Sequence, residues 1–318
     1  MVPSMSPLGP ELLVNSFTAD VQETSSAGLP ALAMSANGNF TAVWSSYGQD
    51  GDGWGIYGQR YDAAAETLGA EFRVNTTTAG DQLQAAVAMA SNGDFVVVWS
   101  SYAQDGDGWG IFGQRYLANG NAHGPEFQIN TTTAGDQVQA SVGMGAAGAV
   151  GIVVNGDFVV TWLGATQSAS GWDVFAQRFR ANGQADGGEF RVNTTTAGDQ
   201  SQAGLGMAAN GDFIVVWSSI DPASGVSEVR AQIYRQMGIA QGAELLVVTA
   251  AAGDPLTPAA AMDGNGDFVV AWAAVGQAAD TDIFAVRYKA DGSVQDGAFL
   301  VTARSQAELG NEAMGYDQ

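Results

Sequence analysis

The chain has no cysteine and one lysine, Lys289, in 318 residues. Without cysteine there is no disulfide framework and no thiolate metal site. Basic residues number 11 against 33 acidic ones, for a net charge of −22. That balance disfavours a nucleic acid partner, because such affinity comes from neutralising phosphates with Lys and Arg. An anionic membrane surface is disfavoured for the same reason, and cations are the natural partners of such a field. Histidine is nearly absent: His123 stands alone, in an Asn121-Ala-His-Gly124 loop found once. Ser–His chemistry would have to pass through it, and it reads as a surface residue. No apolar run reaches the roughly 18 residues that suggest a membrane span. The opening stretch, Met1 to Pro10, lacks the charged and apolar regions of a signal peptide and reads as a loose leader. Long helical periods are missing, and so is a Gly-rich phosphate loop that follows a strand and opens a helix.

What is present is repetition. Four words follow one another most clearly in Glu71-Phe-Arg-Val-Asn75, Thr76-Thr-Thr-Ala-Gly-Asp-Gln82, Asn92-Gly-Asp-Phe-Val-Val-Val-Trp99 and Asp105-Gly-Asp-Gly-Trp-Gly-Ile-Phe-Gly-Gln-Arg-Tyr116. The tryptophan closing the third word returns as Trp44, Trp99, Trp162, Trp217 and Trp272, at steps of 55, 63, 55 and 55 residues. The long step holds an excess near Ala146 to Val153. A fixed period of this kind marks units that stack on one another and cannot be parted into separate domains.

Each unit reads as four strands. Phe72 and Val74 point one way and Glu71, Arg73 and Asn75 the other, a strand with one wet face. Gln84 to Met89 is small and apolar on both faces. Phe95 to Trp99 is bulky and apolar on both, so both must be covered. Ile111 to Tyr116 is mixed, and Asn92-Gly93 is a hairpin signal. The small strand fits where units converge, the valine-rich one the middle of a sheet, the alternating one a solvent rim. A four-stranded unit of this length packed face to face is a propeller blade. The expected fold is all-β, a β-propeller of five four-stranded blades. Repeats span about 11–69, 70–124, 125–187, 188–242 and 243–297 within one propeller over 11–302, followed by a tail over 303–318. Ala298-Phe-Leu-Val-Thr302 begins a sixth copy that is not finished, with Glu312 to Gly315 as a remnant. Six rim words against five sets of inner strands leave a six-bladed ring with an incomplete blade as the alternative.

Alternation of strand direction puts the Thr-Thr-Thr-Ala-Gly-Asp crossovers and the Asp-Gly-Asp-Gly loops on one end. The Asn-Gly-Asp hairpins and the loops around Asn119 fall on the other. Chemistry belongs on the first end, since loops on a rigid frame carry function. The string from Val43 to Tyr61, Val-Trp-Ser-Ser-Tyr-Gly-Gln-Asp-Gly-Asp-Gly-Trp-Gly-Ile-Tyr-Gly-Gln-Arg-Tyr, resembles repeats of large secreted or surface proteins of bacteria that carry calcium-binding and adhesin-like modules. The resemblance spans nearly the whole chain and implies an extracellular setting, with calcium, but no single activity.

Five sets of residues are candidates for function. Asp50, Asp52, Asp105 and Asp107 supply paired carboxylates on Gly-rich turns, as Ca²⁺ ligation needs, though without the distal Glu of a full EF-hand loop; the plainer reading is an Asp-Gly turn. Asp81, Asp136, Asp199 and Asp254 recur at the crossovers, either as an acidic ring at the channel mouth or, preferred, as caps of their own turns. Asp94, Asp157, Asp212 and Asp267 at the hairpins read the same way. Trp54, Trp109 and Trp172, with Tyr47 and Tyr102 nearby, offer aromatic faces for a sugar or else fill gaps between blades. Arg60, Arg115, Arg178 and Arg287, replaced by Ile233 in the fourth copy, read as inter-blade salt bridges in preference to a carboxylate site. No pair of carboxylates is singled out for glycoside hydrolysis. The expected function is an extracellular binding or adhesion module for a glycan or a surface protein. A propeller glycoside hydrolase or polysaccharide lyase, and a structural spacer, are the alternatives.

Overall fold

The computed structural model describes residues 11–24, 31–145, 156–165, 171–221, 224–249, 255–275 and 281–302. The leader, the tail, the excess in the third copy and Asp254 lie outside these residues. The fold is a five-bladed β-propeller built from five antiparallel sheets. Blade two runs from its inner strand Gln82–Met89 through Phe95–Tyr102 and Trp109–Tyr116 to the rim strand Phe127–Gln128. Blade three follows as Gln137–Met144, Phe158–Ala165, Trp172–Phe179 and Phe190–Arg191. Blade four is Gln200–Met207, Phe213–Ile220, Ser227–Arg235 and Ile239–Thr249. Blade five is Pro255–Met262, Phe268–Val275, Thr281–Tyr288 and Val294–Leu300. In blade one the inner strand is split into Gln22–Glu23 and Leu32–Met34, ahead of Phe40–Tyr47, Trp54–Tyr61 and Phe72–Arg73.

The strand order matches the gradient of side-chain size. Blades two, three and four each bury one set of alternating side chains against the blade before and the other against the blade after. Ala86, Ala88, Val96, Val98 and Ile111 of blade two meet Ala140, Val142, Phe158, Val160 and Trp162 of blade three. Val87, Phe95, Val97 and Trp99 turn the other way, onto Val43, Ile56 and Val74. Trp99, Trp162 and Trp217 are fully buried, and Trp44 and Trp272 nearly so. A stacked ring pair closes the hairpin end of every blade, as in Phe95–Tyr116 at 4.7 Å and Phe268–Tyr288 at 4.8 Å. The rim residue of the preceding blade leans edge-on against this pair: Phe72 lies 5.4 Å from Tyr116.

Blades and repeats are out of phase by one strand. The word that opens the second copy supplies the rim of blade one, since Phe72 pairs with Gly58 and Arg73 with Tyr57. The word opening the first copy, Glu11 to Asn15, pairs with no third strand among the described residues. It lies on blade one as a strap. The Tyr61 hydroxyl donates to the Val14 carbonyl at 2.8 Å, as Tyr116 does to Val74 at 3.4 Å. The Glu71 carboxylate accepts from Ser16 N at 2.6 Å and Ser16 Oγ at 2.8 Å, as Glu126 accepts from Thr76 N at 2.6 Å. Burial raises the pKa of Glu71, but hydrogen bonds from Gln49, Ser16 and Phe17 outweigh it and leave it below the usual value. The sixth rim word is paired too: Leu300 sits opposite Phe284 and Phe299 opposite Ala285, as the rim of blade five. Two rim words thus exist for one junction, and a sixth blade is not needed to place either.

Candidate functional site

The end carrying the crossovers and the Asp-Gly-Asp-Gly loops is built by reaching from blade to blade. The loop after Tyr47 turns through Gly51 and Gly53, whose φ of +100° and +51° favours glycine. A side chain at Gly53 would collide with the Asp81 carboxylate, 2.3 Å from its Cβ position. This close approach lets Asp81 Oδ1 accept from Trp54 N at 3.1 Å, while Asp52 Oδ2 accepts from Gly80 N at 3.3 Å. Blade two repeats the arrangement onto blade three: Asp136 accepts from Trp109 N at 3.0 Å and Asp107 from Gly135 N at 3.2 Å. Asp199 accepts from Trp172 N at 3.0 Å. Both loop types do share one end.

The partners differ from those expected. Asp81, Asp136 and Asp199 accept from no backbone N–H of their own turns among the described residues. They hold the third strand of the preceding blade, 27 residues away in sequence. The hairpin aspartates likewise reach a neighbouring loop of the same blade: Asp94 accepts from Ala118 N and Asp212 from Gln236 N, at 2.8 and 2.9 Å. Arg60, Arg115 and Arg178 do cross between blades, but onto carbonyls and not carboxylates. Arg60 donates to Asn119 O at 2.7 Å and Ala118 O at 2.9 Å, Arg115 to Ala181 O at 2.7 Å and Arg178 to Gln236 O at 2.9 Å. Burial lowers the pKa of Arg60 and of Arg115. The carboxylates that do bind Arg178 and Arg287 are Asp186 and Asp296 of their own blades.

Asp50 and Asp105 are half-buried beneath Gly55 and Gly110, and each accepts from an asparagine amide, Asn75 at 3.4 Å and Asn130 at 3.1 Å. Among the described residues no three acidic or histidine side chains gather as a metal ligand set.

The aromatic candidates divide. Trp172 is partly buried and packs against the apolar cluster between blades three and four. Trp54 and Trp109 are partly exposed, and each braces a tyrosine edge-on: Tyr47–Trp54 at 5.4 Å and Tyr102–Trp109 at 5.3 Å. The tyrosines themselves are 47% and 49% exposed. Ala165 and Ile220 stand at the same register in blades three and four, so the paired rings belong to blades one and two. Glu23 is the one carboxylate on the described inner strands, and it is exposed. It went unnoticed because it has no counterpart in the other copies, where Leu83, Val138 and Ser201 stand.

No family model matches the chain, and no curated protein matches it in sequence. Solved structures do match its fold. An α-L-arabinanase from Penicillium chrysogenum, complexed with arabinobiose, aligns over 88% of this chain and 84% of its own, with 14% identity and a TM-score of 0.55. An ulvan lyase, a polysaccharide lyase, aligns over 87% of this chain and 71% of its own, with 11% identity and a TM-score of 0.54. A Dyadobacter fermentans protein of unknown function aligns over 87% and 82%, at 10% identity and 0.55. At these identities the likeness is one of fold. Among the described residues no helix is long and apolar enough to cross a membrane.

Proposed function

We propose that this is a polysaccharide-directed propeller that seats a glycan on the loop end of blades one and two. The observation that carries the reading is the recurring half-exposed tyrosine braced by a tryptophan, Tyr47 on Trp54 and Tyr102 on Trp109. A ring held rigid by its neighbour gives a sugar face a flat apolar partner at little entropic cost, with a hydroxyl beside it. The likeness in fold to an arabinanase and an ulvan lyase supports the same substrate class, and it favours cleavage over adhesion. Hydrolysis needs two carboxylates, roughly 5–5.5 Å or 6.5–9.5 Å apart. Glu23 supplies one, and the other would come from loop acids such as Asp20.

A second reading, binding without cleavage, is favoured by that same scarcity of carboxylates on the inner strands. Two assays separate the readings. Retardation in gels containing arabinan or ulvan, weakened by joint Tyr47→Ala and Tyr102→Ala, is the expected result for recognition. Release of reducing ends or unsaturated uronate, abolished by Glu23→Gln, is expected for cleavage. Failure of the wild type to bind any of a broad panel of polysaccharides would overturn both.

An extracellular or cell-surface setting is part of this proposal and rests on the resemblance of Val43 to Tyr61. Calcium at Asp50, Asp52, Asp105 and Asp107 is a separate proposal, supported by the residue pattern. A Ca²⁺-specific rise in unfolding midpoint that Asp105→Asn with Asp107→Asn removes is the expected result. At 100 times its dissociation constant a native-state ligand adds about 2.7 kcal/mol. A midpoint indifferent to Ca²⁺ would leave these loops as turns.

A further inference from the structure

The four junctions between consecutive blades share one set of parts, and the two outermost faces of the described propeller carry the two halves of a fifth. At a junction the earlier blade offers its small inner-strand residues, its valine row, an arginine or Ile233, and a rim aromatic or leucine. Blade five offers all of these. Ala259 and Ala261 are exposed and Val269, Ala271 and Ile283 half-exposed, where their blade-two counterparts Ala86, Val96, Val98 and Ile111 are fully buried and Ala88 nearly so. Arg287, 52% exposed, turns to Asp296 of its own blade, and among the described residues no hairpin loop of a following blade receives it. Phe299 is 43% exposed, whereas its equivalent Phe127 lies edge-on against Phe179 at 5.7 Å.

The later blade of a junction offers a ring pair, an inner strand and a loop carbonyl. Blade one offers these: Phe40 stacked on Tyr61 at 4.8 Å, Leu32 and Met34 at 55% and 60% exposed, and the loop at Ala63, which corresponds to Ala118. Among the described residues no apolar cluster and no hydrogen bond joins blade five to blade one. Among the described residues of one chain the two half-junctions are present and do not meet.

We infer that blade five is a docking surface for blade one of a second copy of this chain. The contact repeats an interface that the molecule already makes four times, and it leaves those four undisturbed. It is heterologous, one face meeting a different one, so that copies add head to tail. The incoming copy brings its strap on blade one. Glu11 to Asn15 matches the rim word Glu71 to Asn75, and Asn15 is the counterpart of Asn75, Asn130 and Asn193, whose amide oxygens accept the third-strand N–H of blades one to three at 2.8, 2.7 and 2.8 Å. Blade five has Thr302 at that place. The exposed end of its own rim strand, Phe299 to Val301, therefore gives way to the strap. The net charge of −22 opposes association at low salt, so contact strengthens as ionic strength rises.

Sedimentation velocity over a concentration series, at physiological and at raised salt, tests this. The wild type is expected to show a sedimentation coefficient that climbs with concentration, more steeply at raised salt. Met34→Glu blocks the blade-one face and Ala261→Glu the blade-five face, and both sites are exposed, so unchanged thermal midpoints are expected. Each variant alone should sediment as a monomer. Their equimolar mixture should give a dimer and nothing larger, because each retains the face the other has lost. A wild type that stays monomeric at every concentration and salt overturns the inference. So does a wild type that associates while the mixture forms no dimer.

Discussion

Blades two and five are written in nearly the same words, yet one is buried on two faces and the other on one. Val98 is wholly inaccessible, and its counterpart Ala271 is half-exposed; Ala86 is inaccessible and Ala259 exposed. A blade of this kind does not own its core. Half belongs to each junction, and a residue's weight in stability is set by whether a neighbour is seated on it. Equivalent substitutions in the two blades are therefore predicted to differ, and the contrast can be broken or sharpened at four levels.

The largest effect is expected from a charge at the paired positions. Val98→Asp places an unpartnered carboxylate in a closed junction and should prevent folding, whereas Ala271→Asp should leave a folded, dilute monomer. Circular dichroism with urea melts reads the difference. Next comes loss of the rim ring. Phe127→Ala should cost about 2 kcal/mol, the scale of a partly buried aromatic, and Phe299→Ala under about 0.5 kcal/mol. Third, Arg115→Met removes a charged donor from the Ala181 carbonyl and should cost about 1.5 kcal/mol, while Arg287→Met, losing an exposed ion pair, should be nearly silent.

The smallest effect concerns the strap. The folded Glu71 carboxyl has a lowered pKa, so its contribution is present above the ordinary Glu value of about 4.3 and is lost as pH falls through the folded value. Amide exchange at Ser16 and Phe17 should accelerate in that acid range, and Glu71→Gln should remove the step. Equal behaviour of the two blades in the first three comparisons would mean that blade five is covered after all.

Much of this was legible in the repeat. The Trp ruler located five middle strands, and the decline in side-chain size from valine to alanine ordered the sheet correctly from rim to axis. What the words could not reveal is where a side chain in one copy finds its partner in another. Asp81 is an ordinary turn residue by its neighbours, and only the stacking of blades brings it to Trp54 N. Arg60 sits among acids in composition, yet the loop that faces it presents the carbonyls of Ala118 and Asn119. The inner-strand bulge also escaped notice. Gln84, Gln139 and Gln202 adopt φ of +60°, +58° and +53°, although glutamine carries no preference for that region. The strain is offset locally, in that Gln84 Oε1 accepts from Gln139 N of the next blade at 3.0 Å. The Tyr–Trp pairs were visible as residue types, but that Tyr47 and Tyr102 lie edge-on against Trp54 and Trp109, while Trp172 faces Ala165, followed from the strand register.

The ring pairs at the hairpin ends have an optical consequence. Burial drives the phenols of Tyr116 and Tyr234 far above their ordinary range, and those of Tyr61 and Tyr288 upward. Such a phenol surrenders its proton in alkali once its junction has opened or, for Tyr61, once the strap at Val14 has lifted. Blades one, two, four and five each own one of these tyrosines, while blade three has Phe179 in that place. The ultraviolet growth of phenolate, followed through single Tyr→Phe variants, would therefore time-stamp the parting of individual blades and show from which end the propeller unzips.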